Sequence, residues 1–264
     1  MSLYHLTEDR IGHSRLLDDD SGRRREAFGT AVAHHRIDPG FHSSVWAVIV
    51  DPNAGAERAR ALAGRIAASS RAEAVFVREK SGCLYFVTRA RPEATTFDER
   101  IRELARRFEL RVLGIGAALI EQSDYDLAPV AERAHRAAGI LAALPELGDM
   151  GWHDQLGSWI MLSRIAPGSV RVRDISPAAD VLLEPVNSIY RETVEVYLDV
   201  AGRIADACAR LHIHRTTLYY RLDKAPEVVR DALHDGSARS SLHLALKLER
   251  LWHAHRESPI DFAL

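Results

Sequence analysis

The stretch that most constrains the fold of this chain is residues 201–222, AGRIADACARLHIHRTTLYYRL. Its first half has apolar residues at helical spacing, which predicts one face packed on a neighbour: Ile204, Ala207, Cys208 and Leu211. His212-Ile213-His214 interrupts this pattern, and a second helix from Arg215 to about Asp223 carries Leu218 and Leu222 on its inner side. Two short helices joined by a tight turn match a helix-turn-helix.

The remaining positions of the second helix carry side chains that suit contact with DNA. They are Arg215, Thr216, Thr217, Tyr219, Tyr220 and Arg221. Arginines and hydroxyl groups can hydrogen-bond phosphates and base edges, and tyrosines can pack against sugars and the thymine methyl group. The same periodicity also fits an ordinary helical hairpin whose polar face meets only water, so the pattern alone leaves both alternatives open.

The segment LHIHRTTLYYRL resembles the C-terminal helix-turn-helix of PucR/CdaR-type bacterial transcriptional regulators. The family string reads roughly Leu, any residue, Val or Ile, His-Arg-Asn-Thr-Leu, any residue, Tyr-Arg-Leu. The matching residues are Leu211, Ile213, His214, Arg215, Thr217, Leu218, Tyr220, Arg221 and Leu222. Tyr197-Leu198 with Gly202 is similar to the family's lead-in, and residues 242–246 are similar to its closing Leu-His-Leu-Ala-Leu helix.

The resemblance implies a transcriptional regulator whose Fis-like helix-turn-helix places Arg215 to Arg221 in the major groove of a double-stranded DNA operator. Thr216, Thr217, Tyr219 and Tyr220 are then expected at base edges and nearby phosphates. His214, Arg215 and Arg221 are expected mainly to anchor phosphates. Because one such unit reads few base pairs, we expect a homodimer on a palindromic site with half-sites near one helical turn apart.

Departures from the family pattern limit what can be transferred. Thr216 stands where the family usually has asparagine, and Tyr219 where it often has arginine or another polar residue, so the operator sequence cannot be borrowed from a relative. Ala205 and Ala207 replace the usual Ser and Thr. A serine there is expected to cap the helix, and its loss is expected to cost about 1 kcal/mol.

Length and composition describe a two-domain globular protein. The chain has 264 residues, 47% of them hydrophobic and 27% charged, with a formal net charge of −2, so any basic surface for nucleic acid must be local. Its two cysteines, Cys83 and Cys208, fall in what the pattern predicts to be different domains. Their separation predicts no disulfide, and the lack of a signal-peptide core and of a long apolar run adds the prediction of a cytoplasmic protein without membrane insertion.

The N-terminal part alternates strands and helices in the order β, α, β, β, α, β, α, a split βαβ pattern that predicts an α+β sheet covered by helices. Strands are predicted at Ser44–Val50, Ala72–Val77, Cys83–Thr88 and Leu110–Ala117, and helices at Ala54–Ser69, Thr96–Phe108 and Ala128–Leu144. A four-residue loop is predicted at Glu79–Gly82. The stretch from about Phe41 to Ile165 resembles the degenerate GGDEF-like domain that precedes the helix-turn-helix in the same regulators.

No catalytic, cofactor or metal site is predicted. The hairpin where an active diguanylate cyclase carries paired carboxylates has a single acidic residue, Glu79, flanked by cations. Asp51 fits a strand-ending turn better than a metal ligand, and Gly114-Ile115-Gly116 lacks the rest of a dinucleotide fingerprint, which favours tight packing. The 13 histidines form no recognisable zinc set.

Four regions follow from these patterns: a lead and helix at 1–40, a GGDEF-like domain at 41–166, a linker at 167–176 and an all-α helix-turn-helix domain at 177–264. Residues 1 to about 22 are predicted to be a flexible lead or the end of something larger. The helix from Ser241 to Ala254 either closes the domain core or forms a dimer seam. As an alternative function, the chain would be a dimerising or metabolite-sensing module, with a small-molecule effector and little DNA binding.

Overall fold

The computed structural model describes residues 14–40, 43–69, 74–89 and 94–257 of the chain. It divides into two compact units, which we name the N-terminal unit (described residues up to Ile160) and the C-terminal unit (Met161–Glu257). The four-region division predicted from the sequence stays a prediction, and its boundary at 40/41 adjoins residues outside the described ranges. In the described part of the chain, no helix is long and apolar enough to span a membrane.

The N-terminal unit is a five-stranded sheet with helices, which confirms the predicted α+β class. Its strands are β1 (Ser44–Val50), β2 (Ala74–Lys80), β3 (Cys83–Thr88), β4 (Val112–Leu119) and β5 (Met150–Trp152). Its helices are α1 (Ser21–Ala33), α2 (Ala56–Ser69), α3 (Ala94–Arg107), α4 (Leu127–Ala143) and α5 (Ser158–Leu162), which spans the division between units. The order β2-β3-β1-β4-β5, antiparallel except for β4–β5, is the split βαβ arrangement. The GGDEF-like identity stays a prediction.

Strand β1 is buried on both faces, which explains why its sequence is a nearly continuous run of apolar residues. Its odd-numbered residues belong to a cluster with α1 and α4, while its even-numbered residues belong to a cluster with α2 and α3. Trp46 anchors the second cluster, with ring centroids 5.0 Å from Phe97 and 5.5 Å from Trp152. The sheet is therefore the middle layer of the N-terminal unit.

Helix α4 lies directly on β4 because two glycines leave room for it. A Cβ atom at Gly116 would lie 2.1 Å from the carbonyl oxygen of Ala134 and 2.3 Å from the nitrogen of Ala138. At Gly114 it would lie 2.3 Å from the carbonyl oxygen of Ala138. The Gly-x-Gly segment therefore serves helix–sheet packing, as its sequence predicts.

Two predictions for the N-terminal unit are wrong. The predicted flexible lead includes Leu16 and Leu17, yet both are buried, at 2% and 4% exposure, in the cluster with α1 and α4. The predicted four-residue hairpin loop has only two residues, Ser81 and Gly82, at φ of 51° and 77°. Positive φ at both positions matches the twist of paired strands, so β2 continues through Lys80.

The C-terminal unit is all-helical. Its helices are α6 (Val172–Ile175), α7 (Pro177–Leu183), α8 (Ser188–Asp199), α9 (Ile204–Leu211), α10 (Arg215–Asp223), α11 (Glu227–His234) and α12 (Gly236–Glu257). Its main core joins residues of α7, α8, α11 and α12. Asp235 accepts a hydrogen bond from the Ala238 amide at 2.7 Å, and α12 begins at Gly236, five residues before the predicted start at Ser241. Leu242 and Leu246 are buried in the core, which confirms that α12 closes it; the dimer seam stays a prediction.

A half-buried ionic seam joins α8 to α12. Asp199 accepts a hydrogen bond from His243 Nε2 at 2.8 Å and pairs with Arg250 at 3.3 Å. Burial opposes ionisation of Asp199, but the His243 hydrogen bond and the Arg250 charge hold its pKa below the usual value. Burial raises the pKa of Glu195 and lowers that of Lys247, so both groups lose part of their preference for the charged form.

We predict that Gly116→Ala lowers the free energy of unfolding by about 3 kcal/mol or more, because the added methyl group meets backbone atoms that cannot rotate away. Urea unfolding followed by circular dichroism measures the change. Gly29→Ala on α1 is the matched control, since its Cβ would meet no atom within 4 Å. Equal stability of both variants would contradict the close packing of α4 on β4.

We also predict that Glu195→Gln raises the melting temperature at pH 7. The raised pKa means that folding penalises the carboxylate; this penalty is present above the folded pKa and vanishes as the pH falls below the ordinary value of 4.5. The advantage of the variant should therefore shrink to zero in acid. Thermal melts from pH 4 to pH 8 test this, with exposed Glu184→Gln as the control; a lower melting temperature at pH 7 would show that the charge stabilises the fold.

Candidate nucleic-acid interface

The helix-turn-helix begins where α8 ends at a turn of two left-handed residues. Ala201 and Gly202 have φ of 55° and 77°, and the Gly202 amide donates to the Tyr197 carbonyl at 2.8 Å. A Cβ at position 202 would lie 2.9 Å from the Arg239 guanidinium and 3.2 Å from the Tyr197 hydroxyl. Both the backbone conformation and the close contact with Tyr197 therefore favour glycine at this position of the lead-in sequence.

The turn between α9 and α10 follows the predicted break. His212 ends α9 in the left-handed conformation, at φ 53° and ψ 41°, and the Ile213 amide donates to the Cys208 carbonyl at 3.1 Å. Ile213 packs against the small core beneath the two helices, as an apolar anchor of the turn should. His214 is extended and forms the N-cap of α10.

The inner face of the two helices is fixed by a small apolar core. Leu218, Ala207 and Val200 are buried at 0%, 0% and 1% exposure. Ala207 lies inside α9, and the N-cap of that helix is Arg203, whose side chain makes no capping hydrogen bond. The expectation that a serine at 205 or 207 would cap α9 is therefore wrong, because both positions lie inside the helix, which begins at Ile204.

The outer face of α10 carries most of the predicted site residues. His214, Arg215, Thr216, Tyr219 and Tyr220 are exposed, and Thr217 is half-buried at the edge. At about 100° of rotation per residue, Thr216 and Tyr220 lie opposite Leu218. Tyr219 and Tyr220 are 55% and 62% exposed, which is unusual for such large aromatic side chains.

The His214 ring is oriented by the helix that it caps. Its Nδ1 accepts from the Thr216 amide at 3.5 Å and lies 3.1 Å from the Thr216 hydroxyl. When Nδ1 accepts a hydrogen bond, the neutral ring carries its proton on Nε2. The exposed ring therefore presents an N–H donor beside the N-terminus of α10, where the helix dipole favours an anion.

Arg221 differs from the other predicted site residues. It is half-buried, and its Nη1 donates to the hydroxyl of Thr193 on α8 at 3.3 Å. The sequence pattern placed Arg221 on a shoulder of the helix but could not show in which direction its side chain runs. Its assignment as a phosphate anchor stays a prediction.

The charges around α10 are partly neutralised within the unit. Arg203 pairs with Asp206, and Lys224 lies 3.8 Å from Asp223. Arg210 and Arg215 are exposed and form no ion pair with any described residue. Asp223 is exposed on the side of α10 that carries Tyr220. An anion at this position would oppose approach of a phosphate backbone.

The acidic residues considered as metal ligands in the N-terminal unit have local structural contacts. Glu79 pairs with Arg60 at 3.2 Å and accepts from the Gly82 amide at 3.3 Å across the hairpin loop. Asp51 accepts from the Asn53 amide at 2.9 Å. Within the described ranges, no group of three His, Cys, Asp or Glu residues is arranged to hold a metal ion.

Comparison with known proteins finds a family domain that matches part of the C-terminal unit. Residues 190–248 match the PucR C-terminal helix-turn-helix domain. The purine catabolism regulatory protein of Bacillus subtilis (strain 168) is 39% identical over 59 residues, which cover 22% of this chain and 11% of that protein. The chain therefore aligns with only a short part of this curated relative.

A solved structure is similar at a lower level. The crystal structure of a regulator of polyketide synthase expression from Bifidobacterium adolescentis is 12% identical, with a TM-score of 0.36 over 89% of this chain and 96% of that chain. Likeness at this level carries no argument about function. The family match, in contrast, covers α9, the turn and α10 in full. The C-terminal unit of this chain therefore contains a PucR C-terminal helix-turn-helix domain.

Proposed function

We propose that this chain is a transcriptional regulator that binds double-stranded operator DNA through α10. The observation that carries the proposal is the pair of exposed tyrosines, Tyr219 and Tyr220, on a helix whose inner residue Leu218 is fully buried. A helix that is rigidly seated and presents aromatic and hydroxyl groups outward suits insertion into a major groove. The family match at residues 190–248 supports the same function.

The exposed residues divide into two roles by position. Thr216 and Tyr220 lie at the centre of the outer face, with Thr217 and Tyr219 at its flanks, and these four are assigned to base edges and nearby phosphates. Arg215 and His214 lie at the N-terminus of α10 and anchor phosphates, helped by the helix dipole. A phosphate role for Arg221, as predicted from the sequence, would fall to the guanidinium nitrogens that do not reach Thr193.

A homodimer would make this interface useful. A single recognition helix reads few base pairs, whereas two copies on a palindrome with half-sites one helical turn apart read enough for specificity. The predicted homodimer and cytoplasmic location are parts of this proposal.

A small-molecule effector is the second candidate function, favoured by a cavity in the N-terminal unit. The cavity has a volume of about 330 Å³ and is lined by Arg24, Arg78, Lys80 and Tyr85, among others. This volume lies at the lower end of the range for metabolite sites. Isothermal titration against purines, nucleotides and sugar acids tests effector binding, and no heat with any of them would count against it.

Fluorescence anisotropy of the full chain with DNA from upstream of its own coding sequence tests the proposed function. We expect binding that weakens linearly in log salt and resists random competitor DNA, because phosphate contacts release counterions while base contacts give specificity. Binding no tighter than to random DNA would argue for the alternative, a dimerising or ligand-sensing module with little DNA binding.

We predict that Tyr220→Ala weakens operator binding about tenfold, as expected for loss of a base contact worth about 1–3 kcal/mol, and leaves random-DNA binding unchanged. Anisotropy with both DNAs measures the difference. Tyr125→Ala is the matched control, because Tyr125 is 65% exposed in the N-terminal unit. Unchanged operator affinity for Tyr220→Ala would remove this residue from the interface.

We predict that Arg215→Ala weakens binding to operator and random DNA alike and lowers the salt slope by about 0.9, because one phosphate contact is lost. Arg173→Ala on α6 is the control, since Arg173 is also exposed but lies on a helix that packs against α7 and α12. A variant that loses specificity at an unchanged slope would instead place Arg215 at a base.

We further predict that Asp223→Asn tightens binding to both DNAs about two- to fivefold at low salt, with a smaller gain as salt screens the charge. Asparagine keeps the shape of the side chain and removes only the negative charge. Unchanged affinity at low salt would show that the C-terminal end of α10 lies away from the phosphate backbone.

A further inference from the structure

The side chain of Arg221 joins α10 to the helix that supports it. Its Nη1 lies 3.3 Å from Thr193 Oγ1 on α8, and the residue is half-buried while its neighbours Tyr219 and Tyr220 are exposed. Arg221 is thus directed along the inner flank of α10, away from the face that presents Thr216 and Tyr220.

The Thr193 hydroxyl is a buried hydrogen-bond acceptor for this contact. It is 0% exposed, and its hydroxyl donates to the Ile189 carbonyl at 2.7 Å within α8. With its only proton used, the buried oxygen can act only as an acceptor, and an arginine is a donor without acceptor groups. Thr193 also neighbours Val194, which is buried in the main core of the unit, so the acceptor is held in place.

Helix α8 is the support on which both helices of the motif rest. It packs against α9, α10 and α12. The apolar contacts of Leu218 hold α10 against this support, but they have little directional preference, whereas a hydrogen bond fixes direction. A rotation of α10 by about 10° would move a side-chain tip, at a radius of about 6 Å, by about 1 Å. Such a shift is enough to break a hydrogen bond to a base edge.

We propose that Arg221 is a positioning residue that fixes the rotation of α10 through Thr193, rather than a phosphate anchor. This inference rests on the proposed function, because the quantity that it controls is the reading of operator bases. It assigns to Thr193, which lies outside the predicted DNA surface, a role in specificity.

Anisotropy on operator and random DNA over a salt series tests the proposal with Arg221→Gln, Thr193→Val, Thr193→Ser and the Arg221→Gln/Thr193→Val double variant. We expect Arg221→Gln and Thr193→Val each to weaken operator binding about tenfold, with random-DNA affinity and the salt slope unchanged. The double variant should be no weaker than either single variant, because both changes remove one contact. Thr193→Ser keeps the hydroxyl and should bind like the parent chain.

A drop in the salt slope of about 0.9 for Arg221→Gln, with equal losses on both DNAs, would overturn the proposal and make Arg221 a phosphate contact. So would parental operator affinity for Thr193→Val. Thermal melts show whether each variant is folded. If Thr193→Val destabilises the unit, Arg221→Gln still tests the proposal, because Arg221 is only half-buried. The proposed function is tested first, by whether the parent chain binds operator DNA more tightly than random DNA. The variants are compared only after that measurement, so the two proposals fail separately.

Discussion

The burial of Leu218 determines which side chains of α10 face outward from the C-terminal unit. Leu218 is fully buried with Ala207 and Val200, so α10 is set with this apolar side chain facing inward, and the proposed Arg221–Thr193 contact then fixes its exact rotation. That setting turns Thr216 and Tyr220 outward and Arg221 toward α8. The turns before and after α9, at Gly202 and His212, adopt left-handed conformations that let α8, α9 and α10 meet around the Leu218 side chain.

The N-terminal unit depends on a comparable constraint between β4 and α4. Gly116 allows the helix backbone to lie against the sheet, and β1 is buried on both faces as a result of helices packed on each side. The carboxylates of Glu79 and Asp51 are engaged in the hairpin loop and the turn after β1. This unit therefore supplies a stable sheet and a small cavity, and its proposed role is to sense an effector.

Much of the fold could be predicted from the sequence because its periodic signals are strong. The bounds of β1 and β3 agree with the prediction residue for residue, and the split βαβ order follows from the sequence of elements. The errors lie where a backbone conformation or a cap decides the result. Ser81 adopts a left-handed conformation because β2 and β3 pair as far as Lys80 and Cys83, which leaves only two residues for the turn. Asp235 caps a helix, although the dipeptide Asp-Gly is typical of a turn.

The candidate site was predictable to the level of the helix face but not of individual roles. The matched family string located α10, and alternation of Leu218 with polar residues located its outer side. Periodicity could not show that the Arg221 side chain runs to Thr193, since a residue on a helix shoulder can extend either way. The charge of Asp223 matters in a similar way only once the side of α10 that it shares with Tyr220 is known to be exposed.

Hydrogen–deuterium exchange of the full chain with and without its upstream DNA tests the central claim most directly. The account predicts slower amide exchange in residues 212–221 when operator DNA is bound, because the N-terminus of α10 and the preceding turn lie against phosphates and bases. Random DNA at the same degree of saturation should protect this segment less. Protection confined to other parts of the chain, with exchange in residues 212–221 unchanged at saturating operator DNA, would contradict the account.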